Sequence, residues 1–259
     1  MPALIGTSGW QYKDWRERFY PKQVPQRAWL EYHSERFKLV EINNTFYMLP
    51  KPEVFEAWRK RTPEDFTFVV KANRYITHIR RLRNAEESID RFMANARHLG
   101  DKLGPILMQL PPNLQADVPA LDFCLERLGD IQVAVEFRHD SWYSNESRAV
   151  LEKHNSPLVL ADRGSRPITP TWRTADWAYV RFHHGIATPI PCYGKRALQH
   201  WADELAAHWS NVEDVYVFFN NDPGCCAVRD SVAFARLMEA AGFDTTRVPP
   251  EDIHVGPLA

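Results

Sequence analysis

Short apolar runs recur along the chain, and nearly every run ends in a polar side chain. Because side chains on a strand alternate between two faces, Glu136 and Arg138 share one face, as do Arg181 and His183. The polar side chains at the ends of consecutive runs therefore point to the same side. This indicates that they meet at one polar opening of the fold, which we call the mouth. The runs predict strands near residues 4–7, 40–46, 66–71, 106–110, 133–137, 158–162, 179–183 and 215–220.

Helical patterns separate most of these runs. Asn84 is the predicted N-cap of one helix, with Glu87 as its capping-box partner. Residues 163–178 carry two prolines and predict a long loop in place of the sixth helix. Further helices are predicted at 26–37, from Pro52, between Asp117 and Gly129, from Ser144 or Asn145 to Leu151, and at 196–209 and 228–240.

The alternation of strands and helices predicts an α/β fold with a parallel sheet. Eight strands in 259 residues favour closure into a (β/α)8 TIM-like barrel, with residues 1–259 as a single domain. No GxGxxG follows the first strand, which weakens the alternative of a doubly wound dinucleotide-binding fold. In a parallel barrel the active site is built from the carboxyl ends of the strands, where the polar side chains fall.

The net charge and the apolar runs of the chain argue against two kinds of binding partner, nucleic acid and membrane. The net charge of -1 provides no global basic field for nucleic acid or anionic lipid. The N-terminus lacks a basic, apolar leader, and no apolar run is long enough to span a membrane, so a cytoplasmic protein without a membrane partner is expected. The four cysteines form no CxxC pair, and their spacing predicts neither a disulfide framework nor a zinc site.

Several motifs occur in a fixed order: GTSGW, FYP, VEINNTFYMLP, FVVKANRYITH, LGPILMQLPP, VEFRHDSW, YVRFHHG and FNND. Over about residues 4–242 the chain therefore resembles the DUF72 family, also called YecE-like proteins. The resemblance implies a TIM-barrel-like fold and no particular activity, because the family is named for its unknown function. The family's usual Arg-x-His-Gly reads here as Arg181-Phe182-His183-His184-Gly185, which leaves open which imidazole faces the site.

The first hypothesis is an enzyme that performs acid–base hydrolysis or lyase chemistry on a small anionic ligand, for example a phosphorylated metabolite. Glu41 and Glu136 would transfer protons, with His183 as an acid. Arginine grips carboxylate and phosphate through its planar fork, so Arg138 and Arg181 would hold the anion. The other predicted ligand-binding residues are Asn43, Lys71, Gln109, Asp162, Asn220, Tyr47 and Trp10.

Other chemistries use overlapping residues. The cofactor is unspecified, but Glu41, Glu136, Asp162 and His183 would be the ligands of a divalent metal in an isomerase-like or endonuclease-like barrel. Lys71 would form a Schiff base if its pKa were lowered, although a salt bridge to a glutamate would oppose this. Paired carboxylates also fit glycoside hydrolysis, with sugars stacked on Trp10, Tyr12, Trp15, Tyr47, Trp142 and Tyr143, unless these aromatic rings belong to the core.

Two alternatives involve no catalysis. Arg74, Arg80, Arg81 and Arg83 form the strongest basic cluster and would grip a nucleic-acid backbone or another partner, unless they are simply a solvated loop. The charged mouth would otherwise be a self-paired network, since buried charges must be paired. Against a purely structural network, apolar residues would fill the barrel at lower cost.

Overall fold

In the computed structural model, which describes residues 2–250 and 252–256, parallel strands form a nearly closed barrel. The strands run in the spatial order β5-β4-β3-β2-β1-β8-β7-β6. A parallel bridge between Val135 and Leu158 brings β5 and β6 together. The strands are β1 Pro2–Thr7, β2 Leu39–Ile42, β3 Thr67–Lys71, β4 Leu103–Gln109, β5 Val133–Glu136, β6 Leu160–Asp162, β7 Ala178–Phe182 and β8 Val215–Phe219, with a short β9, Asp244–Thr245, beside β1.

Helices surround the barrel in the predicted order. Their starts follow the sequence signals in two cases: the side chain of Asp117 caps α5, and the Ser144 hydroxyl caps α6. No described helix is long and apolar enough to cross a membrane. The helices are α1 Trp29–Arg36, α2 Asn44–Tyr47, α3 Pro52–Lys60, α4 Glu86–Ala96, α5 Val118–Leu128, α6 Asn145–Lys153, α7 Lys195–His208 and α8 Cys226–Ala240.

Two local predictions are wrong and one is confirmed. The strand predicted at 40–46 ends at Ile42, and residues 44–47 form the short helix α2. The Thr45 hydroxyl lies 2.7 Å from the Lys71 carbonyl oxygen, which ties this turn to the end of β3. Asn84 has a positive φ of 45° and does not cap α4, because Ala85 occupies the cap position. Residues 163–177 join β6 to β7 without a helix, as predicted.

The strands separate two apolar layers. A large cluster lies between the strands and the helices, and a smaller cluster fills the barrel interior. Since inward positions recur every second residue, each interior residue is followed two positions later by another inward residue nearer the carboxyl end of the strand. The interior residues are Leu4, Leu39, Val69, Leu107, Ala134, Val159, Ala161, Trp177, Tyr179, Tyr216 and Phe218.

Gly6 shows how tightly β1 and β2 approach each other. A Cβ atom at this position would lie 2.6 Å from the carbonyl oxygen of Leu39. Only glycine fits there without moving a backbone, which explains one glycine of the GTSGW motif.

One disulfide corrects the prediction made from cysteine spacing. Cys192, in the loop after β7, is bonded to Cys226, the first residue of α8, with 4.9 Å between their Cα atoms. Cys124 and Cys225 are buried free thiols. The two partners are 34 residues apart, and only the barrel brings them together. Because the cytosol keeps most thiols reduced, a disulfide is unusual for the predicted cytoplasmic location, and that location stays a prediction.

The disulfide closes a loop across a 34-residue separation, and its loss should cost about 3–4 kcal/mol of unfolding free energy through added chain entropy. Urea unfolding of Cys192→Ser would measure this loss. A reductant should lower the stability of the natural chain and of Cys124→Ser, but leave Cys192→Ser unchanged. Equal sensitivity of all three proteins to reductant would contradict the assignment.

Candidate functional site

Arg181 lies at the centre of the barrel mouth, on the inward face of β7 and fully buried. One of its terminal nitrogens, Nη2, lies 2.7 Å from Glu41 of β2, and the other, Nη1, lies 2.7 Å from Glu136 of β5. The Tyr179 hydroxyl donates to the second oxygen of Glu41 at 2.7 Å, and the Asn43 amide donates to the first at 3.1 Å. The guanidinium therefore bridges two glutamates from opposite parts of the barrel wall.

This pairing keeps both carboxylates ionised. Burial by itself raises the pKa of Glu41 and Glu136, but the Arg181 charge and the hydrogen bonds to each carboxylate lower the pKa by a larger amount. The pKa of both glutamates is therefore lowered, and that of Glu136 falls well below its usual value. The same two carboxylates raise the pKa of Arg181 despite the opposing effect of burial. We call Tyr179, Glu41, Arg181 and Glu136 the charged layer.

Glu136 also receives donors from above. Arg138 pairs with its Oε1, and the Nε2 of His183 lies 3.0 Å from the same oxygen. Burial lowers the pKa of His183, although the hydrogen bond to Glu136 opposes the shift, so the imidazole is neutral at physiological pH. The same Nε2 also lies 2.9 Å from the Arg138 guanidinium, so its contacts are compatible with both tautomers of the neutral ring. In the tautomer that donates from Nε2 to Glu136, Nδ1 is an acceptor and faces the Asn220 amide at 3.4 Å.

Lys71, at the end of β3, has a different environment. Its ammonium donates to Gln109 at 2.9 Å and lies 4.6 Å from the centre of the Phe46 ring. Burial, followed by the Arg181 charge, lowers the pKa of Lys71 to about 8. Among the described residues, no carboxylate forms an ion pair with this ammonium.

A cavity of about 520 Å³ opens beside this network, above the ends of β4 and β5. Arg138 and Arg163 both line it, and burial together with neighbouring positive charges, Arg163 among them, lowers the pKa of Arg138. The Nε atom of Arg138 is buried without a hydrogen-bond partner in the described part of the chain. The remaining lining residues are Gln109, Pro112, Phe137, Asp140, Tyr143 and Ile168.

The structure brings most of the predicted residues together. Glu41, Glu136 and Arg181 form the buried layer, and their neighbours above are Asn43, Lys71, Gln109, Arg138, His183 and Asn220. His183, and not the exposed His184, contacts Glu136, which answers the question left by the doubled histidine. Both glutamates, which were predicted to transfer protons, are held ionised by several donors, and their catalytic role stays a prediction.

Asp162 was placed at the mouth, and this placement is corrected. Ala161 is the β6 residue that faces the barrel interior, so Asp162 faces the helices. Its carboxylate accepts hydrogen bonds of 2.8 Å from both Tyr193 and Trp201. The strand predicted at 158–162 is present as β6, Leu160–Asp162. The prediction, however, had turned Asp162 rather than Ala161 towards the barrel interior.

The aromatic residues divide into three groups. Trp15 and Trp142 are fully buried core residues, and Trp10 packs edge-on against Trp58 with 5.5 Å between ring centroids. Tyr143 lines the cavity beside Arg138. Tyr47 is 71% exposed on α2, outside the network around Arg181. The six rings therefore do not form one continuous stack, although Trp10 and Tyr12 line a small cavity together with Asn43.

A divalent-metal site at the predicted residues is not assembled either. Asp162 faces the helices, and Arg181 occupies the space between Glu41 and Glu136. In the described ranges, no group of three or more histidine, cysteine, aspartate or glutamate side chains is placed to hold a metal ion. The donor geometry thus does not fit the metal alternative.

The basic cluster lies on the loop after β3, where Arg74 and Arg80 flank a π-helix, Tyr75–Ile79. Arg81 donates to Asn113, and Arg83 pairs with Asp117. Half of the predicted backbone-gripping arginines are therefore engaged with the neighbouring loop after β4.

Sequence reasoning missed three residues. Tyr179 could have been found, because it lies two positions before Arg181 on the same strand face. Arg163 lies in an irregular loop, where no period assigns a direction. Asp222 follows β8 near Tyr12, and burial raises its pKa to about 8, a shift that no sequence pattern reveals.

The fold and the mouth define a (β/α)8 barrel protein with a charged, ligand-sized site at the carboxyl ends of its strands. The chain belongs to the DUF72 family, since the family model described as "Protein of unknown function DUF72" matches residues 4–252. The membership agrees with the resemblance seen in the sequence motifs.

Relatives and solved structures support this placement. UPF0759 protein YunF of Bacillus subtilis is 27% identical, over 91% of this chain and 94% of that protein, and UPF0759 protein YecE of Escherichia coli O157:H7 is 35% identical, over 74% and 78%. A crystal structure of a DUF72 family protein from Thermotoga maritima has a TM-score of 0.82 at 27% identity, covering 92% of this chain and all of that chain. One from Enterococcus faecalis has a TM-score of 0.79 at 20% identity, covering 99% of this chain and all of its own, and shows a shared fold.

Removal of the central cation should reveal how far the two glutamates depend on it. Arg181→Met leaves buried Glu41 with neutral hydrogen-bond donors alone and Glu136 with Arg138 as its remaining arginine partner, which should cost about 3–5 kcal/mol of unfolding free energy. In the natural chain both glutamates have a lowered folded-state pKa, so their stabilisation is present above their unfolded pKa and is lost as the pH falls through the folded values. In the variant, burial should raise the folded-state pKa of Glu41, which keeps no arginine partner, so the stability contributed by this group should instead increase as the pH falls from 7 towards 5.

Urea unfolding at several pH values would measure both slopes. The triple variant Arg181→Met with Glu41→Gln and Glu136→Gln removes all three charges and should regain part of the lost stability. A single variant as stable as the natural chain, or one with the same pH slope, would show that Arg181 does not hold the glutamates ionised.

Proposed function

We propose that the barrel mouth binds a small anionic ligand and promotes acid–base chemistry of the hydrolase or lyase type on it. The observation that carries the proposal is the pair of arginines in the cavity. Arg138 and Arg163 line one cavity of about 520 Å³, and Arg138 keeps a buried N–H without a partner. The two positive charges repel each other, and an anion between them would relieve this repulsion.

The charge balance of the mouth supports an anion. Lys71, Arg138 and Arg181 face Glu41 and Glu136, so three cations stand against two carboxylates. His183 is neutral, and Arg163 adds a further positive charge at the cavity rim. Asp140 lines the cavity too, and both Asp140 and Arg163 are exposed to solvent, so these two opposite charges are screened and the excess of positive charge rests on Lys71, Arg138 and Arg181.

Arg181 itself is a poor ligand-binding residue, although it was predicted to be one. Both ends of its guanidinium are paired with glutamates, and its side chain is only 2% exposed. The Nε atoms of Arg138 and Arg181 both lack a hydrogen-bond partner in the described part of the chain, but of these two arginines Arg138 lines the cavity. Gln109, which accepts from Lys71 and also lines the cavity, would help to orient the ligand.

His183 is the best-placed group for proton transfer. Glu136 accepts from its Nε2 and holds the ring in one orientation, as the carboxylate does in a catalytic triad. With the proton on Nε2, Nδ1 would take a proton from a ligand or a water molecule that replaces its long, 3.4 Å contact with the Asn220 amide. In this account His183 transfers the proton, and Glu136 positions the imidazole.

The anion-binding part can be tested by thermal shift with inorganic phosphate, phosphorylated sugars and small carboxylates. A ligand at about 100 times its dissociation constant should stabilise the natural chain by about 2.7 kcal/mol. Arg138→Gln and Arg163→Gln should each remove most of that stabilisation, because each deletes one arm of the proposed grip.

Arg127→Gln is the matched control, since Arg127 pairs with Asp90 on the surface, away from the mouth. It should respond to anions as the natural chain does. Equal stabilisation of all four proteins would place the binding elsewhere, and no stabilisation by any anion in the panel would count against the proposed ligand class.

A further inference from the structure

Lys71 combines features that anion binding alone does not require. We propose that Lys71 is a nucleophilic amine that forms a Schiff base with the carbonyl carbon of an anionic aldehyde or keto substrate held at the mouth. The inference deepens the proposed function, on which it rests for the grip on the anion by Arg138 and Arg163.

The contacts of the ammonium leave its nitrogen available. Gln109, a neutral amide, accepts its hydrogen bond at 2.9 Å, and the Phe46 ring covers one side. A direct carboxylate partner would hold the proton on the amine, but in the described part of the chain both mouth glutamates are paired with arginines instead. The expected opposition from a salt bridge is therefore not found.

The surrounding charges favour loss of the ammonium proton. Arg181 and Arg138 face Lys71 from β7 and from the end of β5, and His78 lies nearby on the loop after β3. Glu41 and Glu136 act in the opposite direction, but burial and the guanidiniums prevail and bring the pKa of Lys71 to about 8. An ordinary lysine, with a pKa near 10.4, carries far less neutral amine at neutral pH.

The substrate class follows from the neighbours of Lys71. Gln109 links the ammonium to the cavity, because the same side chain accepts from Lys71 and lines the space beside Arg138. A ligand with a carboxylate or phosphate on the arginines would need its carbonyl group a short distance away, towards Gln109. A small keto acid or a phosphorylated aldehyde has this arrangement.

The covalent step is balanced without a redox partner. The neutral amine attacks the carbonyl carbon, forming a C–N bond, and the carbonyl oxygen takes up a proton to give a carbinolamine. The hydroxyl then leaves as water with a second proton, and the nitrogen lone pair forms the C=N bond. Counted from the ammonium, one lysine and one carbonyl compound give one protonated imine and one water.

The test traps the imine in the full-length protein. Glyoxylate and glycolaldehyde phosphate are supplied separately with cyanoborohydride, which reduces an imine to a stable secondary amine, and the modified lysines are identified by peptide mass spectrometry. We expect labelling at Lys71 about tenfold or more above that of any other lysine, rising as the pH approaches about 8.

Lys71→Arg keeps the positive charge but should abolish the dominant label, whereas Lys60→Arg, at a side chain that is 77% exposed on α3, should leave it unchanged. Inorganic phosphate should slow labelling of Lys71 by competing for the arginines. Labelling of Lys71 no faster than that of Lys60 with both probes would overturn the inference. If phosphate still stabilised the protein in that case, the anion site would stand and only the Schiff base would fail.

Discussion

The structure of the mouth depends on one constraint: the buried Arg181 cation must be matched by buried carboxylates. Removing charges from water costs several kcal/mol per ion, and only close pairing with complete hydrogen bonding offsets that cost. Glu41 and Glu136 supply this pairing from opposite sides of the barrel at 2.7 Å each. Tyr179, Asn43, Arg138 and His183 add further hydrogen bonds or ion pairs to these two glutamates.

This constraint divides the mouth into two levels. Within the charged layer nearly all polar atoms are paired with one another, so this layer supports the residues above it. Above it, Lys71, Arg138 and His183 each keep a proton donor or acceptor that no protein group uses fully. Apolar side chains could fill this part of the barrel without the desolvation cost of buried charges. We therefore interpret the charged layer as a support for a ligand.

The period of two in the strands carried most of the correct site predictions. It placed Glu136, Lys71 and Arg181 on inward positions, and each is there because the residue two positions earlier fills the barrel interior. The same rule was misapplied to Asp162, whose strand has only three residues and gives no clear phase. Asn43 lies at the mouth for another reason, since the chain has already turned into α2.

Other features follow from tertiary structure and left no local signal. The disulfide joins residues 34 apart, and Arg163 reaches the cavity from a loop without any period. The ionisation of the groups also depends on distances across the barrel. The pairing with Arg181 keeps Glu41 and Glu136 charged, whereas burial lowers the pKa of both His183 and Lys71.

Our central claim is that the charged layer supports an anion site between Arg138 and Arg163. Crystallography with a heavy phosphate analogue tests this claim most directly. Crystals grown with tungstate should show an anomalous peak within hydrogen-bonding distance of both guanidiniums. Arg181 should remain paired with its two glutamates in the same crystals. Peaks confined to other surfaces, or an Arg181 that leaves the glutamates to bind the anion, would contradict the account.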